Sequence, residues 1–383
     1  MKQIAPNYYK KFNCIAGNCK DSCCQAGWEI DIDDKTTSFY KSIDGGFGDK
    51  LNKNIDFTPP AHFKQKNKNS KLTCPFLNDE KLCEIYINLG EEHLCQICKD
   101  HPRYFEWFKN TKEVGIGLCC EEAARIILTE TEHFSVIESE ITPTETDIIN
   151  SSFEYDTEIY NYLLTTRKEI IDYLENTSIS ISNRLRNVLR FGNIVGQNVD
   201  NYVFGDEKIL QRCIQGPSST AISATQKNQT QSEKITTVLE IINFLKTLEP
   251  NDAKWPDYLE KSASIFKESY GKFSVFENSN PEIDGFIKNI AIYFIWRYLL
   301  KATFDEEVFS KIKLMYVSCL ILKVLFFCKW VKNGTLTLDD CINIVKKYSE
   351  EIEYSEENIE AFADASYDLE CLSFDNLLQL GRF

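Results

Sequence analysis

A surplus of basic residues is what this sequence most plainly lacks. Its 43 Lys and Arg face 58 Asp and Glu, for a formal net charge of −15 and a pI of about 4.9. That excludes nucleic acid as the main partner, because phosphate binding requires a basic face. A basic or lysine-bearing protein suits such a surface better. Long apolar runs are missing too. The longest, residues 314–328, is interrupted by Lys323 and is too short to span a bilayer. It reads as a buried core helix, so no membrane span is expected. The opening MKQIAPNYYKKFNC holds no apolar core of a secretory signal, and neither Lys2 nor the terminal LGRF offers a lipidation signal. The expectation is a cytoplasmic protein.

Glycine is thinly spread. A nucleotide-binding α/β unit would place a glycine-rich turn between a strand and a helix. Gly45-Gly46-Phe47-Gly48 is the one cluster; it follows no convincing strand and reads as a plain turn.

Cysteine is present, and it is gathered at one end. Eight of the 15 fall in the first 98 residues, as Cys14-x4-Cys19-x3-Cys23-Cys24, then Cys74 and Cys83, then Cys95-x2-Cys98. Cys119-Cys120 follow, and the rest of the chain holds only those at 213, 319, 328, 341 and 371. Disulfide scaffolds are small secreted domains that lack a core, whereas 43% of these 383 residues are hydrophobic. Reduced thiols binding a metal are therefore expected. Thiolate selects zinc, copper(I) and iron–sulfur clusters. Only Cys95-x2-Cys98 has the paired spacing of structural zinc sites, so an iron–sulfur cluster, with four thiolates each and room for up to two, is preferred, and zinc is the alternative. The Cys-x3-Cys-x2-Cys triad of radical iron–sulfur chemistry is absent, since Cys24 follows Cys23 at once. Side chains of adjacent residues tend to point apart, so one member of each adjacent pair can ligate while the other packs.

The fold expectation is mainly α: a cysteine-rich N-terminal module with a few short strands over residues 1–130, then an all-helical body over 131–383. Within the module, 28–33 alternates apolar and acidic residues like a strand, and 113–118 suggests a second. A helix is expected over 81–99 and another from Glu121, while the aromatics of 103–108 pack on the metal module. Residues 131–155 read as a polar connector. Apolar residues then recur at helical spacing, and helices are expected near 235–249, 254–269, 281–302, 306–331, 337–349 and 356–380. Residues 216–233, poor in apolar side chains, read as a mobile loop or linker.

The N-terminal text resembles the flagellin lysine-N-methylase family. The segment from Phe12 to Trp28, with Cys14, Cys19, Cys23-Cys24-Gln25-Ala26-Gly27-Trp28, is similar to its opening. Cys74-Pro75-Phe76-Leu77 with Leu82-Cys83-Glu84-Ile85 looks like its second block. Leu89-Gly90-Glu91-Glu92-His93-Leu94 and Cys98-Lys99-Asp100-His101-Pro102-Arg103 look like its third, and Cys120-Glu121-Glu122-Ala123-Ala124-Arg125 like its fourth. Glu121 departs from the family's Pro, Cys119 from its Ser, and His101 from its Tyr. The resemblance marks Cys14, Cys19, Cys23, Cys24, Cys74, Cys83, Cys98 and Cys120 as metal ligands, leaving Cys95 and Cys119 open. It implies methyl transfer from S-adenosylmethionine to surface lysines of flagellin, supported by an iron–sulfur cluster of 4Fe-4S type. The alternative is a non-catalytic metal-binding module whose helical body docks a partner. Arg103 is the candidate for the donor's carboxylate, with a structural ion pair as its plain reading. His93 and His101 read as packed histidines more than ligands, Glu91-Glu92 as a solvated cap, and Trp28 with Tyr104 to Phe108 as packing more than a methyl-lysine cage. No catalytic base stands out.

Overall fold

The structure, a computed structural model, describes residues 1–25, 27–68, 71–211, 216–220 and 229–380. A four-stranded sheet joins the two ends of the N-terminal third. It orders β2 (Arg103–Phe108), β3 (Thr111–Ile116), β1 (Lys2–Pro6) and β4 (Val136–Glu140) side by side. β2 and β3 form an antiparallel hairpin with Arg103 opposite Ile116, turning at Lys109, whose φ is 46°. β1 runs parallel to β3 and antiparallel to β4. The expected polar connector therefore contains a strand, and a short helix, Glu145–Asn150, follows it. β4 escapes a reading by periodicity because it is an edge strand with almost no buried side chain; its backbone pairing and a Lys2–Glu138 ion pair at 2.7 Å hold it to β1. The body beyond residue 130 is mainly helical, not helical throughout.

Other expectations shift for local reasons. Residues 28–33 form no strand and make one bridge, Asp31 to His62. Asp33 instead caps the helix Asp34–Lys41, its carboxylate accepting from the Thr36 amide at 2.9 Å. The helix expected over 81–99 is two short helices, Glu84–Leu89 and Gln96–Asp100, parted at Gly90, whose φ of 94° suits glycine. The glycine cluster is no plain turn: it opens the helix Gly45–Asn54. Residues 103–108 are strand β2. Of the loop expected at 216–233, residues 221–228 lie outside the described residues, and a helix runs over Gln231–Leu245 behind a Thr230–Glu233 capping box.

After α1 (Glu121–Leu128), the long helices are α2 (Thr157–Leu174), α3 (Ile181–Val203), α4 (Ile283–Tyr298), α5 (Val308–Asn333), α6 (Leu338–Ile352) and α7 (Glu356–Asp368), together with the helices Gln231–Leu245 and Trp255–Ser269 between α3 and α4. α2 buries Ile159, Leu163, Ile170 and Leu174 on one face, the spacing of an amphipathic helix. α5 is buried along most of its length and forms the axis. By length and composition it could cross a membrane, but 83% of its apolar window is buried inside the protein. Buried residues form two cores. A small one holds Ile32, Tyr40, Leu51, Ile55, Phe63, Phe76, Ile85 and Cys95. The large one runs from Ile4 to Leu380 and takes in Phe108, Ile116 and Ala123, so the sheet and α1 pack directly on the long helices.

Two contacts within this axis carry measurable consequences. Where α3 crosses α5, a Cβ on Gly192 would stand 2.7 Å from the Ile312 side chain. Gly192→Ala is expected to lower stability by about 1–3 kcal/mol through overpacking. A unchanged midpoint in urea would mean the crossing can yield. On α5 itself, Lys311 and Lys323 reach Asp305 at 2.7 Å and Glu277 at 2.6 Å, but among the described residues Lys313 donates only to the Ser366 carbonyl. Its ammonium lies 4.7 Å over the Phe309 ring, and burial lowers its pKa to about 8. The unfolded chain holds this proton up to pH ~10.4. Protonated Lys313 therefore costs stability below pH ~8, and the cost fades as pH rises from ~8 to ~10.5. Lys313→Met should raise the urea midpoint at pH 7 by about 1–3 kcal/mol of stability, with the gain shrinking across that window. A gain that stayed constant with pH would rule out the charge as its source.

Candidate metal centre and the polar junction behind it

The fourteen cysteines within the described residues are all free. Short turns bring the N-terminal ones together. Cys23 and Cys24 sit in a single 3-10 turn, and the Cys24 carbonyl accepts from the Cys74 amide at 2.9 Å. Cys83 returns to Leu77 through a β-bridge and opens the helix Glu84–Leu89. Cys95 stands just before the helix Gln96–Asp100, and the Cys98 amide donates to its carbonyl at 3.0 Å. Cys120 caps α1. The Glu121 carboxylate accepts from the Lys20 amide at 2.8 Å, which pins the Cys19 loop beside α1. Asp21 reaches Lys346 of α6 at 3.0 Å, so the loop is also tied to the helical body.

The thiols fall into two groups that feel one another electrostatically. Burial, then Cys120, Glu121, Cys14 and Cys23, push Cys19 up to about 12. Burial, with Cys23 and Cys14 nearby, lifts Cys120 to about 11. In the second group, burial first and then Cys83 and Cys95 push Cys74 up to about 12. A hydrogen bond within the Cys95–Cys98 pair holds Cys95 down and Cys98 up, with Cys24 and Cys74 adding to the rise of Cys98. Cys23, hydrogen-bonded to Cys24, stands between the groups. The raised values link Cys19 and Cys120 with Cys14 and Cys23, and Cys74 and Cys83 with Cys95, while Cys23 also bears on Cys74 and Cys83, and Cys24 on Cys98. The donor chemistry fits an iron–sulfur cluster or zinc, either of which would reverse these raised values by favouring thiolate. Among the described residues, no three His, Cys, Asp or Glu side chains converge on one point as a bound metal requires.

The two cysteines left open by sequence part company. Cys95 is 1% exposed and shares a hydrogen bond with Cys98. Cys119 turns the other way, into the helical body, where it is hydrogen-bonded to Tyr354 and lies near Arg297. Arg103 donates to the Lys99 carbonyl at 3.2 Å and covers the Phe12 ring at 5.1 Å, so it fastens β2 to the N-terminal segment. His93 stacks on Phe39 at 4.2 Å, and His101 packs edge-on against Trp28 at 5.1 Å. Trp28 in turn stacks on Tyr354 at 5.4 Å and 14°, which joins the cysteine module to the turn between α6 and α7.

Behind that stack lies a buried polar group that the sequence reading missed. Glu353 Oε2 accepts from Tyr293 at 2.8 Å, Tyr298 at 2.9 Å and Arg297 at 3.1 Å. The guanidinium of Arg297 lies 4.7 Å from the Tyr104 ring centre and 6.0 Å from that of Tyr354. Burial is the main force on the tyrosines, raising them well above the usual phenol range. The available signal was Arg297 itself, a charge set in the apolar run 290–298 of α4. Two clefts stand out elsewhere, one bordered by Tyr8, Glu130 and Asn289 and the other by Leu185, Ile287 and Cys319; neither touches an N-terminal cysteine.

Residues 167–380, more than half of the chain, match the model of the FliB lysine N-methylase C-terminal domain. The chain belongs to the FliB lysine N-methylase family. It is 28% identical over 153 residues to a protein named lysine-N-methylase from Salmonella typhimurium, and the alignment covers 37% of each chain. Against the lysine-N-methylase of Salmonella choleraesuis it is 28% identical over 148 residues, again 37% of each. Against the flagellar biosynthetic protein FliU of Salmonella muenchen it is 30% identical over 137 residues, 34% of this chain and 80% of that protein. The chain therefore spans little more than a third of the length of the two methylases it matches. No solved structure matches it. The family's C-terminal domain begins at Arg167 in α2 and takes in Tyr293, Arg297, Tyr298 and Glu353, while Tyr104 lies outside it.

Proposed function

We propose that this protein is a cytoplasmic methyltransferase that moves methyl groups from S-adenosylmethionine to surface lysines of flagellin. Membership of the FliB family carries the reading. The relatives' names, lysine-N-methylase and a flagellar biosynthetic protein, supply the target class. We take residues 1–130 as the metal module, with an iron–sulfur cluster of 4Fe-4S type or, alternatively, zinc on its thiols, and 131–383 as the body. Cys14, Cys19, Cys23 and Cys120 would hold one site, and Cys74, Cys83, Cys95 and Cys98 a second. A bound metal there would close a module whose own apolar core is small.

The substrate amine must be neutral when its nitrogen takes the methyl carbon, and free lysine holds its proton to pH ~10.4. Desolvation at a buried junction favours the neutral amine. The acidic surface opposes it nearby while gathering lysine-bearing partners from a distance. Gathering and transfer must then occupy different places, as the exposed acids and the buried junction do.

Anaerobic purification with iron, zinc and sulfide analysis, followed by labelled S-adenosylmethionine and flagellin, tests the reading. Label on flagellin lysines, with iron and acid-labile sulfide in the protein, is expected. Metal without label, from folded protein and competent flagellin, would leave the non-catalytic metal-binding module in its place.

A further inference from the structure

The polar group behind the Trp28–Tyr354 stack has more hydrogen-bonding capacity than the protein uses. Glu353 carries three donors on Oε2, yet its Oε1 is buried without a partner, in a side chain that is 0% exposed. The Tyr104 hydroxyl is also buried without a partner. Arg297 spends Nη1 on Glu353 and the Tyr293 oxygen; its other nitrogens are not buried orphans, and its side chain is 12% exposed. Unmade hydrogen bonds of this kind cost about 1–3 kcal/mol each, more for charged groups. A core built only for stability would not gather them in one place.

The backbone is shaped to admit these side chains. A Cβ on Gly115 would stand 2.3 Å from the Tyr104 hydroxyl, and one on Gly117 would stand 3.4 Å from Arg297 Nη1. Gly115, in the Val114-Gly115-Ile116-Gly117-Leu118 segment, therefore lets the Tyr104 side chain lie where it does. On the outer side the cover is thin: Tyr354 is 39% exposed, and its stack with Trp28 is a contact between separate segments.

We propose that Arg297, Tyr104 and Glu353 form the subsite for a zwitterionic α-amino-acid end group, that of the methyl donor, with the Trp28–Tyr354 stack as its cover. The Arg297 and Tyr104 donors face the carboxylate, and Glu353 Oε1 takes the ammonium. A lone cation would leave the Arg297 and Tyr104 donors unused, and a lone carboxylate would leave Glu353 Oε1 unused. A zwitterion answers both. This assignment rests on the methyltransferase reading and replaces Arg103, which is engaged elsewhere.

Equilibrium dialysis of the metal-loaded full chain, with labelled S-adenosylmethionine and with 5′-methylthioadenosine, which lacks the amino-acid end, provides the test. Wild type should bind the first roughly tenfold or more tighter, the scale of hydrogen bonds to charged groups. Glu353→Gln should abolish that preference while leaving methylthioadenosine binding unchanged, which also reports that the fold survives. Tyr104→Phe removes a hydroxyl with no protein partner, so its urea midpoint should hold while S-adenosylmethionine binding falls several-fold. It decides the matter if Glu353→Gln does not fold. A preference retained in both variants overturns the subsite but not the methyltransferase reading. Wild type that binds neither compound overturns both.

Discussion

Cys95→Ser is expected to strip metal from the second thiol set, whereas Cys119→Ser should retain the full complement. Both side chains are 1% exposed, so burial alone does not separate them. Their neighbours do. Cys95 shares a hydrogen bond with Cys98 and influences Cys74 and Cys83, and all of these lie around the small core. Cys119 meets Tyr354 and the Arg297–Glu353 group on the opposite side of the chain, as an adjacent residue to Cys120 should. Structural metal in small thiolate sites supplies about 10–16 kcal/mol of apparent folding energy, so removing one of four ligands should unfold the module around residues 30–98. Loss of the Cys119 thiol removes one weak hydrogen bond, an effect of about 1 kcal/mol. Metal per chain by mass spectrometry, beside a urea melt, reads both. Equal metal in wild type and Cys95→Ser would refute the four-thiol assignment, as would loss from Cys119→Ser.

The long helices were legible because burial on one face imposes a 3.6-residue period. The helices over Trp255–Ser269, α4, α5 and α6 fall within a few residues of their expected ranges. The N-terminal module was less so. There, short elements are set by single side chains and backbone pairing: Asp33 as a cap, Gly90 as a break, β4 as an exposed edge. None of these leaves a period to read. The gathering of the thiols was legible from their clustering, but their division was not. Sequence counted Cys24 and left Cys95 open; the fold hydrogen-bonds Cys95 to Cys98 and Cys24 to Cys23, with Cys24 also acting on Cys98. The Arg297–Glu353 group was hidden for another reason. Its members come from α4, the turn after α6, and β2, segments far apart in sequence, so only the tertiary fold brings them together.

Removing one side of the Glu113–Arg167 pair should cost about 3–5 kcal/mol, because it strands a charge in the core. Arg167 of α2 grips Glu113 of β3 through both nitrogens, at 2.7 and 2.6 Å, and each residue is 3% exposed. Its guanidinium also lies 4.1 Å from the centre of the Trp296 ring on α4. The pair therefore ties the sheet to two helices at once, across the stretch that separates the cysteine module from the body. Glu113→Ala leaves Arg167 with only the ring and a distant carbonyl of Trp296 at 3.4 Å, which cannot balance a buried cation. Arg167→Met leaves a buried carboxylate with nothing opposite and should be as damaging. Glu113→Leu with Arg167→Met removes both charges, and apolar packing then recovers most of the loss. A double-mutant cycle in urea measures the coupling directly. Single variants within about 1 kcal/mol of wild type would mean that water reaches the pair. A double variant as weak as either single would mean that the bidentate geometry, and not the avoidance of a stranded charge, holds the sheet against the helices.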